Sequence, residues 1–225
     1  TINRPEKHNA FNAEVIAALS EIFETLRANP GNVRMVLLRG AGPSFSAGAD
    51  LEWMQSAAHF DEIDNEQDAM ALATMLKRLY DLPQMTVALV QDAKIRFSEV
   101  RRGLTPATIS PYVIRAIGPK WSRALFASGE GFDGNFAYHM GLAQYVVANM
   151  EEMTQIEEHL AKLAFATAPG AVADAKQLVD EVTGREIDHG LAVHTAKAIA
   201  KRRVSEEGRE GLAAFLERRK PSWAE

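Results

Sequence analysis

The run Val33-Arg34-Met35-Val36-Leu37-Leu38 stands between an amphipathic stretch and a glycine-rich loop. It is short, nearly continuous in apolar character and partly β-branched, which argues for a strand buried on both faces. Upstream, residues 12–28 have a helical period. Val15, Leu19, Ile22 and Leu26 fall on one face, with Ile16 and Phe23 beside them, and Asn12 is placed to cap the first turn. Pro30-Gly31 ends that helix. A buried strand fed by a helix on one side and a loop on the other places the chain in the α/β class.

The rest of the chain extends the pattern. A helical stretch follows Asp50 and covers much of 62–80. Val87–Val90 reads as a second buried strand and Ile95–Ser98 as a third. Residues 110–117, 119–128 and 133–140 read as short helices, with Gly141 just past the last, and Gln144–Val147 as a short strand. From Met150 onward the pattern is helical over roughly 150–166, 169–183, 186–203 and 205–217. Residues 1–148 thus form the α/β core and residues 149–225 a helical extension.

Only Asp92, Ala93 and Lys94 separate Gln91 from Ile95. Three residues can close a hairpin but cannot make the crossover between parallel strands. Either the local topology is a hairpin or a segment is missing from the sequence at this point.

Composition closes several doors. The 225 residues carry a net charge of −5, which disfavours a general nucleic-acid binder. There is no Cys, hence no disulfide, no thiolate metal site and no Cys nucleophile, and a reducing, cytoplasmic setting is expected. No apolar run approaches the ~18 residues of a membrane span. The opening Thr1–Pro5 is not a leader peptide. Gly40-Ala41-Gly42 follows a strand, but Phe45 occupies the third glycine position of a dinucleotide fingerprint. Neither a phosphate-binding P-loop nor a Gly-x-Ser-x-Gly elbow occurs. The six His, at 8, 59, 139, 159, 189 and 194, have no metal-ligand spacing, so no metal is expected.

Two features point to chemistry. Residues 201–220 hold seven basic side chains against four acidic ones, either a solvated helix face or a site for a polyanionic ligand. Glu99 ends a short strand before Val100-Arg101-Arg102-Gly103, an address that suits catalysis and a salt bridge equally well. Phe45, Leu51, Trp53 and Met54 beside the Gly/Ala loop suit a pocket wall or a core.

Three stretches combine into a resemblance. Asn3-Arg4-Pro5-Glu6-Lys7-His8-Asn9-Ala10-Phe11, then Phe45-Ser46-Ala47-Gly48-Ala49-Asp50-Leu51, then Phe97-Ser98-Glu99 through Pro106, resemble the enoyl-CoA hydratase/isomerase (crotonase) family. The likeness runs from about residue 2 to the end. Within the family, Leu51-Glu52-Trp53-Met54, Pro106-Ala107-Thr108-Ile109-Ser110-Pro111-Tyr112-Val113 and the tail Arg218–Trp223 look most like bacterial 3-methylglutaconyl-CoA hydratases of leucine breakdown. Most hydratases have a Gly-rich stretch after that proline, so Ala107–Ser110 implies a reshaped acyl pocket.

The resemblance implies a crotonase-like spiral of ββα units with an α-helical C-terminal region, residues 149–225, that builds a homotrimer or hexamer. It implies an acyl-CoA thioester as substrate, coenzyme A entering as part of the substrate, and no separate cofactor. It assigns the backbone N–H of Ala49 as a donor to the thioester oxygen and Glu99 as the carboxylate that handles water or a proton. Substrate contacts are implied for Lys7, His8, Ala10, Ala47, Asp50, Leu51, Trp53, Met54 and Pro106, and for Phe215 and Lys220 at the coenzyme. Arg101 or Arg102 would meet a carboxylated acyl tail. Relatives supply a second oxyanion donor, and in many cases a second Glu, from a Gly-rich segment and helix after the strand matching Val87–Gln91. That segment is absent here, at the junction already found too short. The readings that remain are a hydratase, a Δ3,Δ2-enoyl-CoA isomerase, and an inactive crotonase-fold scaffold or RNA-binding protein. Neither nucleic acid nor membrane is an expected partner.

Overall fold

The computed structural model describes residues 1–91 and 93–224. Asp92, at the short junction, lies outside the described residues. The elements, in order, are α1 (Ala13–Ala28), β1 (Met35–Arg39), α2 (Leu51–Ala57), α3 (Glu62–Tyr80), β2 (Met85–Leu89), β3 (Lys94–Arg96), α4 (Ser110–Ser128), β4 (Gly131–Asp133), α5 (Gly134–His139), α6 (Met150–Ala166), α7 (Pro169–Val182), α8 (His189–Arg203) and α9 (Glu206–Glu217). The chain divides into two compact units. The first comprises 1–25, 37–81 and 88–153; the second comprises 26–36, 82–87 and 154–225. The helical extension thus recruits two short segments from the N-terminal half.

In the first unit, α1 begins as its sequence dictates. The Asn12 side chain accepts from the Val15 N–H at 3.0 Å. The face it buries is rotated from the expected one: Ile16 and Phe23 are fully buried, whereas Ile22 is half exposed. The central hydrophobic cluster lies elsewhere. Phe97, Val113, Ile117, Leu125, Ala137 and Met140 form it, with Ile95, Trp121, Phe132 and Phe136 packed against it. Phe97 meets Phe126 edge-on at 5.2 Å and Phe132 at 5.9 Å, geometry that adds to simple area burial. Within this cluster α4 is broken at Gly118, whose φ of 73° lies in the left-handed region, and the buried Ser122 hydroxyl donates to the Gly118 carbonyl at 2.8 Å.

The sheets differ from expectation. β1 pairs with β2, and β3 pairs antiparallel with β4, with Ile95 opposite Phe132. The runs around Val87–Val90 and Ile95–Ser98 therefore do not close a hairpin on each other. With one paired neighbour each, β1 and β2 are only partly covered: every residue of β1 is half-buried and Val33 lies outside it, 39% exposed. The strand expected at Gln144–Val147 does not form, and Tyr145 and Val146 are exposed. That stretch has no partner strand among the described residues, and β-propensity alone does not hold a strand. β4, three residues long, carries no periodicity by which the sequence could announce it.

The second unit is fastened by charged side chains reaching backbone oxygen. Lys176 on α7 donates to the carbonyls of Leu82 at 2.6 Å and Gln84 at 2.9 Å, and the buried Gln84 amide donates to Leu26 at 3.1 Å. Arg202 bridges Asp174, Glu207 and the Gly170 carbonyl, while Glu207 accepts from the first free N–H groups of α7, at Gly170 and Ala171. A Cβ on Gly208 would sit 2.2 Å from the Arg202 carbonyl oxygen at the end of α8, so the first turn of α9 requires glycine there.

Candidate active site

The loop after β1 is built against the N-terminal segment. Phe11 and Ala49 form a parallel bridge: the Phe11 N–H donates to Gly48 at 2.7 Å, and the Asp50 N–H donates to Phe11 at 2.8 Å. One residue earlier, the Ala47 N–H donates to the His8 carbonyl at 2.9 Å. These bonds flank Ala49, so strand geometry turns its own N–H away from Phe11. That N–H has no partner among the described residues, and Ala49 is exposed.

Behind the loop lies a polar anchor. Asn9 is fully buried in the left-handed region, at φ 55°. Its carbonyl oxygen accepts from the Arg4 N–H at 2.8 Å, and its amide donates to Ala41 at 2.8 Å and Ser44 at 2.6 Å. Gly40 is forced here, because a Cβ would lie 2.3 Å from the Ser44 carbonyl and 2.7 Å from the Asn9 amide. Arg4 donates to the Ala10 carbonyl at 2.7 Å and to the Asp50 carboxylate at 2.9 Å. Asp50, 3% exposed, also caps α2 through the N–H groups of Glu52 and Trp53. Burial pulls its carboxyl pKa up. The hydrogen bonds from Arg4, Glu52 and Trp53 outweigh that, and the net pKa lies below its ordinary value.

The other expected contacts gather around this loop. Lys7 is exposed and donates to Glu52 at 2.7 Å, and this hydrogen bond with the Glu52 charge raises its pKa. His8 Nδ1 lies 3.3 Å from the Ser44 hydroxyl. Ala10 is buried, Ala47 exposed and Leu51 70% exposed. Trp53 and Met54 are half-buried, and the Trp53 indole donates to Asp68 on α3 at 2.9 Å. Asp50 presents no free carboxylate to a ligand; Arg4 and the α2 cap occupy it.

Glu99 does not end a strand. It opens a single turn of 3-10 helix, Glu99–Arg102, three residues past β3, and Gly103 closes the turn at φ 73°. The Phe97 ring anchors the approach in the core. Glu99 is half-buried, and its Oε2 is inaccessible to solvent with no hydrogen-bond partner among the described residues. A buried carboxylate oxygen without a donor is costly, and it is the position in this unit most in want of a water or a ligand proton. Arg101 donates to the Gly129 carbonyl at 3.0 Å and Arg102 to the Ser98 hydroxyl at 2.7 Å. Both partners are neutral, and neither Arg meets a carboxylate among the described residues. Pro106 is buried beyond the turn.

Phe215, 80% exposed, and the exposed Lys220 belong to the second unit, and Ala49 and Glu99 belong to the first. Of the seven basic residues of 201–220, Arg202 and Arg219 are held by carboxylates. Lys201, Arg203, Arg209, Arg218 and Lys220 have no ion pair among the described residues. No three His, Asp or Glu among the described residues are arranged to hold a metal, and no helix there is long and apolar enough to cross a membrane. Sequence reasoning assigned no role to Arg4, Asn9, Gly40 or Asp68. Arg4 and Asn9 stood within the opening motif, but their partners lie about 30 to 45 residues downstream.

The chain is similar to known proteins over nearly its whole length. A crystal structure of an enoyl-CoA hydratase from Shewanella pealeana superposes with a TM-score of 0.93 at 34% identity, covering 98% of this chain and 89% of its own. A candidate enoyl-CoA hydratase/isomerase (crotonase) from Legionella pneumophila does so at 0.86 and 38%, covering 97% and 92%. A candidate enoyl-CoA hydratase of Thermus thermophilus is 28% identical over 246 aligned positions, which take in 98% of this chain and 94% of the relative. The fold is that of the crotonases, an α/β core with a helical C-terminus. The enoyl-CoA hydratase/isomerase family profile matches residues 1–93 and 87–225, and the chain belongs to that family.

Proposed function

We propose that this chain is an enoyl-CoA hydratase, adding water across the α,β double bond of an acyl-CoA thioester. The observation that carries the reading is the buried, unpartnered Oε2 of Glu99, held on a turn of the family's motif. Attack of water oxygen on Cβ moves the π electrons toward the thioester, and negative charge develops on its oxygen. The free Ala49 N–H is a donor of the kind that stabilises such an oxyanion, and one such donor is worth about 3 kcal/mol. Glu99 accepts a proton from the attacking water and returns one to Cα, which closes the proton balance. Lys7 would meet the coenzyme, and Trp53 and Met54 the acyl chain.

The finer substrate is a branched, carboxylated enoyl group such as 3-methylglutaconyl, the substrate of a hydratase in leucine breakdown. In support, Arg101 and Arg102 stand next to Glu99 with neutral partners only. The exposed apolar side chains of α9, Leu212, Phe215 and Leu216, support burial in a homotrimer or hexamer.

A second donor is wanted, and relatives carry it in a segment this sequence lacks. The two profile matches meet at 87–93, and the alignment to the Thermus relative is longer than the 225-residue chain. Both support a missing loop and helix between Gln91 and Asp92. A single carboxylate also suits the Δ3,Δ2-isomerase, which shuttles one proton between the α and γ carbons.

Two spectrophotometric assays on the purified protein separate the readings, one for hydration of a 2-enoyl-CoA and one for migration of a 3-enoyl-CoA double bond. Glu99→Gln is expected to lower the hydration kcat by about 100-fold or more. Hydration that survives Glu99→Gln, or double-bond migration without hydration, overturns the hydratase reading.

A further inference from the structure

We infer that Arg4 is a positioning residue for the Ala49 N–H. The inference rests on the oxyanion role of that N–H proposed above. The residues around Ala49 are each tied to the N-terminal segment: Ala47 to His8, Gly48 and Asp50 to Phe11, and the Asp50 side chain to Arg4. Arg4 grips the residues beside both partners of this bridge. One arm of its guanidinium holds the Ala10 carbonyl, next to Phe11, and the other holds Asp50, next to Ala49. Its own N–H is fixed by Asn9, whose amide ties down Ala41 and Ser44 at the start of the same loop. The planar fork spans two acceptors at once, which a lysine ammonium on its flexible stem does less well.

Arg4 has an electrostatic part as well. Asp50 places a buried carboxylate one residue from the N–H that would receive the developing negative charge. Uncompensated, that carboxylate opposes the oxyanion; paired with Arg4 at 2.9 Å, it does not. Arg4 thus acts on the transition state through Ala49 and touches no substrate atom.

The experiment uses acetoacetyl-CoA, whose enolate carries the same charge on the thioester oxygen, and coenzyme A as a ligand without that charge. Enolate formation on the protein is followed against pH by ultraviolet absorbance, and coenzyme A binding by calorimetry. Wild type is expected to lower the pKa of the bound thioester relative to free solution. Arg4→Met is expected to raise that pKa by about one unit, a tenfold loss of enolate stabilisation, with coenzyme A affinity within about threefold of wild type. Arg4→Lys should recover part of the shift. Asp50→Asn keeps the α2 cap, because Asn caps as well as Asp, and removes the ion pair without disturbing the helix start. It also leaves the Arg4 charge without its carboxylate, which by itself would lower the pKa, so a raised pKa in this variant assigns the effect to the lost grip on the loop and keeps the proposal testable if Arg4→Met fails to fold. A wild-type shift that both variants retain overturns the role of Arg4 alone. Equal losses of enolate stabilisation and coenzyme A affinity reduce Arg4 to a structural residue. Absence of any wild-type shift overturns the oxyanion reading of Ala49 and this proposal with it.

Discussion

The Lys7 ammonium donates to the Glu52 carboxylate at 2.7 Å and ties the N-terminal segment to α2. Both groups are exposed, and exposed pairs of this kind contribute about 0–1 kcal/mol. A phosphate group can therefore compete for Lys7 at little cost. Glu52→Gln removes the competitor and one negative charge from a polyanion's path. Calorimetry is expected to register coenzyme A binding about two- to fivefold tighter in this variant at low salt, with the gain shrinking as ionic strength rises. Unchanged affinity at low salt would remove Lys7 from the coenzyme site.

Phe97 ties the core to the turn that presents Glu99. It is 7% exposed and touches Phe126 and Phe132. Phe97→Ala is expected to cost about 3–5 kcal/mol in urea unfolding. Because the cavity opens two residues from Glu99, whatever hydration activity the folded variant retains should also fall. Full activity with lowered stability would mean that the turn holds itself.

Acid should loosen the C-terminal helix at a definite place. Hydrogen bonds from Arg219 and the Ser222 N–H bring the Glu210 pKa down to about 2 from an ordinary value of 4.5. A folded pKa below the unfolded one adds stability that is fully present above pH 4.5 and lost as pH falls toward 2. Glu210→Gln should flatten the stability–pH curve in this window and leave its slope above it unchanged. Parallel curves for the two proteins below pH 4.5 would refute the assignment.

The first turn of α9 has no room for a side chain at 208, where a Cβ would lie 2.2 Å from the Arg202 carbonyl oxygen. Gly208→Ala is expected to lower the melting temperature by several degrees, although alanine is the better helix former. An unchanged or higher melting temperature would mean that the backbone shifts freely there.

Intact mass is decisive for the short junction. A mass well above 24.7 kDa, with a peptide map placing new residues beside Gln91, is the expected result for a protein that carries the second oxyanion donor. A mass of 24.7 kDa places the deletion in the protein itself, and hydration activity should then be small or absent.

Local signals carried much of this fold. Asn12 caps the helix that follows and Asp50 opens the next, because a short polar side chain beside a helical period satisfies N–H groups within three residues of itself, whereas the caps at Asp133 and Asp188 set helix starts that the sequence pattern placed one and three residues too early. The breaks at Gly118 and Gly141 were legible for the same local reason. The loop of Ala49 and the address of Glu99 could be marked from their motifs. That Glu99 opens a turn, with one carboxylate oxygen buried and unpartnered, could not, because burial of a single atom is set by the elements packed above it.

What the sequence determined by itself is whatever depends on neighbours a few residues away: caps, breaks, helical periods and the family motifs. Tertiary structure decided which partner each strand takes, which face of α1 is buried, and that Arg4 reaches Asp50 across 46 positions. Those outcomes depend on chain closure and on which apolar and charged surfaces meet. Hydrophobic burial is non-directional, so composition fixes that such surfaces will be covered, and only the folded arrangement fixes by what.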